Sequence, residues 1–238
     1  MIRALVVDDE LHVREELREI LAETGEYAVV GTCANAMQGL RAVRSVRPDV
    51  LFLDIHMPKV DGFRFLGMID PECMPYVVFV TAHDEFALRA FEENALDYLL
   101  KPVQPERLAR TTEKIRRFLV EGKRPAYATP PLERVPCVIG HGLKLIDTAE
   151  IEYVRSSESG VHVVTARGEF LTELTLALLE ARTDLLTRCH KQYLVNLGRI
   201  DEIVRADPST ATIKTHSGNI VPVSRRFLAQ IKDRLMIH

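Results

Sequence analysis

Short apolar runs alternate with longer stretches of helical periodicity over the first 120 residues. Three runs are apolar at both parities, which predicts strands covered on both faces: Ala4–Val7, Val50–Leu53 and Val77–Val80. Weaker strands are predicted at Tyr27–Gly31 and Asp97–Leu99. The periodic stretches predict helices at Val13–Glu23, Ala36–Val46, Phe63–Met68, Glu85–Asn94 and Pro105–Leu119. This alternation predicts an α/β domain, a (βα)5 doubly wound parallel sheet, over residues 1–120.

The pattern changes after residue 120. Residues 121–134 contain several prolines among small and charged residues without periodicity, which predicts a linker. Residues 135–238 consist of short segments rich in Val, Ile and Thr, typical of antiparallel strands. Turns are predicted at 140–142, 156–160, 207–209 and 217–219, and helices only at Leu174–Arg182 and Ser224–Leu235. We therefore expect a mostly-β second domain.

Composition narrows the class of protein. The chain has 238 residues, 47% of them hydrophobic, but no apolar stretch long enough to span a membrane and no signal-peptide pattern, so we expect a cytoplasmic protein. Its four cysteines form no CxxC pair, which argues against a disulfide framework or a zinc site. The net charge is −3, yet residues 188–238 carry nine Lys and Arg against four Asp and Glu. Any contact with nucleic acid should therefore be local to that segment.

Polar residues follow the strands of the first predicted sheet. Asp8 and Asp9 follow the first strand, Asp54 the third, Thr81 the fourth and Lys101 the fifth. The carboxyl ends of parallel strands meet at one edge, so these groups should converge. A helix N-cap role explains any one Asp, but not five functional groups at strand ends. Clustered carboxylates repel one another unless a cation lies between them, and oxygen ligands suit Mg²⁺.

These residues resemble a known family. The motifs are Asp8-Asp9, Asp54 followed by Met57-Pro58 and Asp61-Gly62, Thr81-Ala82, and Lys101-Pro102 preceded by Tyr98. Over residues 2–118 the chain is similar to the receiver domain of two-component response regulators. The resemblance implies that Asp54 is the phosphoacceptor, phosphorylated by a sensor histidine kinase or a small phosphodonor. Phosphoryl transfer requires positioning and charge neutralisation, which Mg²⁺ and Lys101 would supply.

The same resemblance assigns further roles in the pocket. Mg²⁺ would be bound by Asp9, Asp54 and the backbone carbonyl of His56, with Asp8 acting through water. Thr81 and Tyr98 resemble the receiver's switch pair, in which the hydroxyl turns toward the phosphoryl group and the ring enters the vacated space. A surface between Glu85 and Phe118 would then change. The alternative for Tyr98 is an ordinary core aromatic, and the side chains of His56 and His83 should face solvent.

The second domain lacks a catalytic motif: no nucleophile elbow, HExxH or glycine-rich phosphate loop. Binding is therefore expected. Its distinctive stretches are residues 188–196 and 221–227, whose donor-rich side chains suit DNA phosphates and base edges. Composition alone leaves a solvated charged face as the alternative.

Residues 135–236 resemble the LytTR DNA-binding domain, which contacts double-stranded DNA through loops. The resemblance implies base-edge contacts by Lys191 and Arg226, and backbone or supporting contacts by His190, Gln192 and Arg225. Arg188 also belongs to the predicted DNA-binding set, without a role of its own. Tyr193, Val195 and Asn196 would be structural. A third DNA-facing loop is expected near 156–162, with Arg155 and Ser159 as unselected candidates and Glu158 unfavourable beside a phosphate.

The hypothesis is a two-domain transcriptional response regulator, not an enzyme, with promoter DNA and a sensor histidine kinase as partners. The whole chain, including residues 76–82 and 170–194, is similar to one branch of the family, which implies a membrane-bound kinase of the LytS type. We expect a homodimer on phosphorylation or on DNA. Two alternatives remain: a phosphatase-like hydrolase, which would need a DxD pattern in place of Asp8-Asp9, and an adaptor that binds protein or RNA.

Overall fold

The computed structural model describes residues 1–83, 85–92, 94–122, 127, 131–140, 142–207 and 210–237. The chain divides into two compact units, Met1–Thr129 and Pro130–His238. Half of the predicted linker, 123–126 and 128–130, lies outside the described residues. No described helix combines the length and the apolar character needed to cross a bilayer.

The described part of the first unit is a parallel sheet with intervening helices. The strands are β1 (Ile2–Val7), β2 (Tyr27–Cys33), β3 (Val50–Leu53), β4 (Tyr76–Thr81) and β5 (Asp97–Leu100), in the order β2-β1-β3-β4-β5. The helices are α1 (Leu11–Glu23), α2 (Ala36–Val46), α3 (Gly62–Leu66), α4 (Ala87–Glu92) and α5 (Pro105–Glu121). This confirms the predicted (βα)5 α/β fold.

The solidly apolar runs form the centre of this unit. Every residue of β3 and β4 is buried, as expected for strands whose odd and even positions are both apolar. Burial of one such aliphatic or aromatic side chain contributes about 1.5–3 kcal/mol. A polar contact completes the core: Tyr27 and Thr112 join β2 to α5 through a 2.7 Å hydrogen bond between their hydroxyls.

Helix α4 is shorter than predicted. The sequence pattern predicts Glu85–Asn94, but residues 85 and 86 form a turn and the helix begins at Ala87. The ring of Phe86 lies 5.1 Å from that of His56 and 6.3 Å from that of Phe63. An apolar residue in the loop before a helix and one in the first turn of that helix can pack against the same core. Apolar periodicity therefore does not show at which residue the helix begins.

The described part of the second unit is mostly antiparallel β, as predicted. Its strands are β6 (Arg134–Ile139), β7 (Gly142–Asp147), β8 (Ile151–Ser157), β9 (Gly160–Thr165), β10 (Gly168–Thr172), β11 (Leu186–His190), β12 (Tyr193–Asn196), β13 (Ile200–Asp207), β14 (Thr210–Thr215) and β15 (Ile220–Val223). They form sheets in the orders β11-β12-β8-β9-β10-β6-β7 and β13-β14-β15. The helices are α6 (Leu176–Arg182) and α7 (Arg225–Arg234), close to the predicted ranges.

A buried carboxylate joins the two sheets of this unit. Glu152 on β8 is only 2% exposed, and its carboxylate accepts hydrogen bonds from the Thr215 hydroxyl (2.6 Å), the Asn219 amide (3.0 Å), and the backbone N–H (3.1 Å) and hydroxyl (2.6 Å) of Ser217. Burial alone raises the pKa of Glu152, but these donors outweigh burial and hold it below its ordinary value. The turn between β14 and β15 is therefore fixed against β8.

Candidate functional site

The carboxyl edge of the parallel sheet brings together three of the predicted residues. Asp8 follows β1, Asp54 follows β3 and Lys101 follows β5. The ammonium Nζ of Lys101 lies 2.7 Å from Asp8 Oδ2 and 3.3 Å from Asp54 Oδ1. In the register of β1 and β3, Val7 pairs with Leu53, so the residues that follow the two strands leave the sheet side by side.

Three carboxylates form one cluster at this edge. Single oxygens of Asp8, Asp9 and Asp54 all lie within 4.8 Å of one another. Asp8 and Asp54 are buried and Asp9 is exposed. One ammonium does not balance three carboxylates, and a set of oxygen donors open to solvent on one side suits a hard divalent cation. The donor set therefore fits Mg²⁺, with Asp8, Asp9 and Asp54 as the residues able to hold it.

The charges in the pocket depend on one another. Burial raises the pKa of Asp54, Lys101 opposes that shift, and Asp8 and Asp9 add to it, so the pKa lies above its ordinary value. Burial lowers the pKa of Lys101, but its hydrogen bond to Asp8 and the charge of Asp54 outweigh burial and raise it. Lys101 is therefore a permanent cation beside Asp54.

Thr81 lies at the end of β4 with an unused hydroxyl. Its side chain is completely buried, and within the described part of the chain its Oγ1 has no hydrogen-bond partner. An unsatisfied buried hydroxyl costs about 1–3 kcal/mol. The backbone carbonyl of Thr81 accepts a 2.9 Å hydrogen bond from the Lys101 N–H, which connects the two strand ends. Thr81 can therefore donate to an acceptor that enters the pocket.

Tyr98 on β5 is half-buried, and its hydroxyl donates to the backbone carbonyl of His83. The ring is thereby attached to the segment that follows β4 and Thr81. Core tyrosines also make hydroxyl bonds, as Tyr27 does, so this bond does not distinguish a switch residue from a core aromatic. The movement predicted for the switch pair stays a prediction.

Gly62 permits the close approach of α3 to the pocket. A Cβ at this position would lie 2.6 Å from the carbonyl oxygen of Asp54, which is too close for a backbone atom, and 3.1 Å from Ile55 Cα, which is a tight contact. The neighbouring Asp61 caps α3 by accepting a 2.8 Å hydrogen bond from the Arg64 N–H. The Asp-Gly pair in the motif thus has a packing role.

Some residues of the pocket do not follow strands, and the sequence analysis missed them. Glu10 Oε1 lies 3.7 Å from Lys101 Nζ, and Arg14 donates a 2.6 Å hydrogen bond to the Asp8 carbonyl. Both lie at or near the start of α1. The side chains of His56 and His83 face solvent as expected, yet their rings are only 4.3 Å apart. Arg14 lies one turn into the helix that follows Asp8-Asp9, and this position is the sequence feature that could have placed it near the pocket.

The turn between β11 and β12 presents predicted DNA contacts. Lys191 and Gln192 are exposed at this turn. The His190 ring is half-buried, and its Nδ1 accepts a 3.2 Å hydrogen bond from the Gln192 N–H. The Gln192 carbonyl accepts a 2.8 Å bond from the Ser156 N–H, which attaches the turn to β8. The turn is therefore held in one position.

A second set of predicted contacts lies at the start of α7. The Ser224 N–H donates a 2.9 Å hydrogen bond to the Cys189 carbonyl, so this helix begins beside β11. Arg225 and Arg226 are exposed, and the Arg226 guanidinium lies 4.4 Å from the centroid of the Phe227 ring. Segments far apart in the chain thus place their donors at one end of the unit.

The side chain of Arg188, one of the predicted contacts, bonds within the domain. Its guanidinium pairs with the Glu180 carboxylate at 2.9 Å and also donates to the Lys191 carbonyl at 3.4 Å. Asn196, expected to be structural, is buried and donates to the Ile151 carbonyl at 2.8 Å. A direct contact of Arg188 with DNA stays a prediction, while the structure shows that Arg188 supports the β11–β12 turn.

Comparison with known proteins agrees with this organisation. Residues 4–113 match the model of the response regulator receiver domain, and residues 141–236 match that of the LytTr DNA-binding domain. The chain belongs to the DNA-binding response regulators of two-component systems that join a receiver to a LytTR domain. They are transcriptional regulators controlled by histidine kinases through aspartyl phosphorylation.

Two relatives cover nearly the whole chain. An uncharacterized response regulatory protein of Vibrio cholerae is 47% identical over 235 residues, covering 99% of both chains. The transcriptional regulatory protein BtsR of Escherichia coli K12 is 45% identical over 240 residues, again covering 99% of both. The similarity to one branch of the family noted for residues 76–82 and 170–194 is therefore a similarity to the BtsR branch.

Proposed function

We propose that Asp54 is the phosphoacceptor of this transcriptional regulator, and that Lys191 and Arg226 read the promoter. The observation that supports the first assignment is the convergence of Asp8, Asp54 and the Lys101 ammonium at one sheet edge, with Lys101 Nζ within 3.3 Å of both carboxylates. Replacement of Asp54 by Asn tests it, because incorporation of phosphate from acetyl phosphate should then be lost.

The chemistry follows from the positions of the groups. A carboxylate oxygen of Asp54 attacks the phosphorus of a phosphohistidine on the sensor kinase, the P–N bond breaks, and the histidine leaves with the bonding electrons. The Lys101 ammonium contacts the phosphoryl oxygens. Mg²⁺, held by Asp9, Asp54, the His56 carbonyl and, through water, Asp8, would supply further neutralisation of those oxygens. Asp54 itself ends as an acyl phosphate.

Thr81 and Tyr98 then report the modification. The phosphoryl group brings roughly 1.5 to 2 negative charges and three acceptor oxygens. The buried Thr81 hydroxyl, which lacks a partner among the described atoms, donates to one of them. Its movement opens space for the Tyr98 ring and alters the surface between Glu85 and Phe118. This surface supports pairing of two chains.

Phosphorylation should convert the protein to a dimer. We expect acetyl phosphate or a phosphoryl mimic to raise the sedimentation coefficient and to increase the affinity for DNA that carries paired sites, because a second linked contact adds effective concentration. Analytical ultracentrifugation and DNA titration measure both effects, with Asp54→Asn as the unresponsive control. Equal sedimentation and equal affinity in the two states contradict the dimer.

The proposed DNA interface consists of the β11–β12 turn and the start of α7. Lys191 and Arg226 contact base edges, whereas His190, Gln192 and Arg225 contact the phosphate backbone or support the readers. The exposure of these side chains other than His190, and the hydrogen bond between Ser224 and Cys189 that brings the two segments together, support an interface at this place. The division between base readers and backbone contacts rests on the family resemblance. Arg188 supports the β11–β12 turn through its ion pair with Glu180.

Removal of the Arg226 guanidinium should reduce specificity. We expect Arg226→Ala to lower discrimination between target and random duplex by about 1–3 kcal/mol, because a bidentate contact to a base edge is lost. The neighbouring Arg225→Ala is the matched control and should weaken both duplexes equally. Competition titrations with a footprinted target measure the difference; an even loss from Arg226→Ala would assign it to the backbone instead.

The partner and location follow from the family resemblance. We propose a membrane-bound sensor kinase of the LytS type as the phosphodonor and the cytoplasm as the location. The protein acts as a regulator and not as an enzyme, since its adjacent Asp8 and Asp9 differ from the DxD pattern of aspartate-dependent phosphatases.

A further inference from the structure

A connected set of polar side chains lies on the seven-stranded sheet beside the proposed DNA contacts. Arg155 on β8 donates through Nε to Glu169 Oε1 on β10 at 2.8 Å, and its terminal nitrogen lies 2.5 Å from the same oxygen. His162 on β9 places its Nδ1 2.9 Å from that oxygen. One carboxylate oxygen therefore holds both an arginine and a histidine.

The connection extends to the tip of the β8–β9 hairpin. His162 Nε2 lies 3.0 Å from the Ser159 hydroxyl, which lies 2.8 Å from the Ser157 hydroxyl. Gly160 closes the hairpin with a φ of 121°. The hydroxyl of Ser159 is therefore engaged inside the hairpin, and the chain of hydrogen bonds fixes the Arg155 side chain relative to the tip.

Arg155 lies directly beside the proposed DNA-contact turn. It pairs with Tyr193 across β8 and β12, and the adjacent Ser156 N–H bonds to the Gln192 carbonyl. Its side chain is 34% exposed. Glu169 binds the edge of the Arg155 guanidinium that is formed by Nε and one terminal nitrogen. No described residue accepts a hydrogen bond from the other terminal nitrogen of Arg155. That outer edge is available to a ligand.

We propose that Arg155 binds a backbone phosphate of the same DNA duplex whose bases meet Lys191, and that Glu169 is a positioning residue that aims the guanidinium. The inference deepens the proposed DNA interface and rests on it. An arginine fork matches a phosphate geometrically, and a side chain already held in place loses less conformational freedom on binding. This assigns the third DNA contact to the strand, not to the hairpin tip.

The two roles predict effects of opposite sign at Glu169. If Glu169 were only a negative charge near DNA, its removal would increase affinity for a polyanion. If it positions Arg155, Glu169→Ala lowers affinity although the domain becomes more positive. The direction of this change separates positioning from simple electrostatics.

The test is a salt titration of the full-length protein on a random-sequence DNA duplex. Arg155→Ala should reduce the slope of log K against log salt by about 0.9, the loss of one phosphate contact, and lower affinity. Arg155→Lys keeps the charge and should retain the slope with weaker binding, while Glu169→Ala should also weaken binding. The ion pair of Arg167 with Glu150, near the opposite end of β9, provides matched controls: Arg167→Ala and Glu150→Ala should leave the slope unchanged.

Each outcome has one meaning. An Arg155→Ala slope equal to that of Arg167→Ala overturns the phosphate contact, and higher affinity of Glu169→Ala overturns the positioning role. Lys191→Ala and Arg226→Ala, measured on the footprinted target duplex, test the underlying interface separately. If these two weaken binding and Arg155→Ala does not, only the present inference is wrong; if none does, the proposed interface itself is wrong.

Discussion

Asp54→Asn should abolish incorporation of phosphate from acetyl phosphate while the fold is kept. The amide has nearly the shape of the carboxylate but is not a nucleophile at neutral pH, so no acyl phosphate can form. Lys101 retains its 2.7 Å contact with Asp8, which limits the structural effect of the change. Radiolabel incorporation or intact-mass spectrometry after incubation with acetyl phosphate and Mg²⁺ measures the result, which we expect to be complete loss.

The control for this variant is Asp61→Asn. Asp61 follows the same strand end but caps α3, and Asn caps a helix as well as Asp does. Incorporation should therefore persist in Asp61→Asn. Undiminished labelling of Asp54→Asn, with a normal melting temperature, would move the phosphoacceptor to another carboxylate and refute the assignment.

Glu152→Ala should destabilise the second unit by about 3 kcal/mol, since it leaves buried donors without an acceptor, while removal of the buried carboxylate relieves its desolvation and offsets part of that loss. The donors are those of Thr215, Ser217 and Asn219. Urea unfolding, with hydrogen exchange localised to β8 and β14, measures the loss. Glu150→Ala removes an exposed carboxylate two residues away and should cost under about 1 kcal/mol.

The Glu152 contribution should depend on pH in a defined direction. Its pKa is lowered by folding, so its stabilisation is fully present above the unfolded-state value of about 4.3 and is lost as pH falls through the lower folded value. The stability difference between wild type and Glu152→Ala should therefore be constant near neutral pH and shrink only in acid. A difference that shrinks on raising the pH would contradict this account.

The pocket could be predicted from the sequence because the ends of the strands in a parallel sheet are easily recognised from the apolar pattern. Solid apolar runs locate the strands, the parallel arrangement brings their carboxyl ends to one edge, and the next polar residue falls there. Asp8, Asp54 and Lys101 were found in this way, and their distances agree with it. The same reasoning predicted the (βα)5 order, because each apolar run was separated from the next by one helical stretch.

Pairing between side chains of different elements could not be predicted in this way. The ion pair of Arg188 with Glu180 depends on how α6 packs on its sheet. The hydrogen bonds of Glu152 depend on the position of the β14–β15 turn. Periodicity gives the face on which a residue lies, but not its neighbour on another element. Arg188 and Lys191 therefore both belong to the set of DNA contacts predicted from the sequence, although the structure engages one and exposes the other.

The hydrogen bond from Ser224 to Cys189 has an evolutionary consequence. It uses only backbone atoms, so it constrains the spacing between the β11–β12 turn and α7 without depending on which side chains occupy positions 191 and 226. Point substitutions at those exposed positions can alter the preferred base pairs while the framework stays the same. Descendants of such a regulator can thus acquire new promoters after gene duplication without first rebuilding the domain.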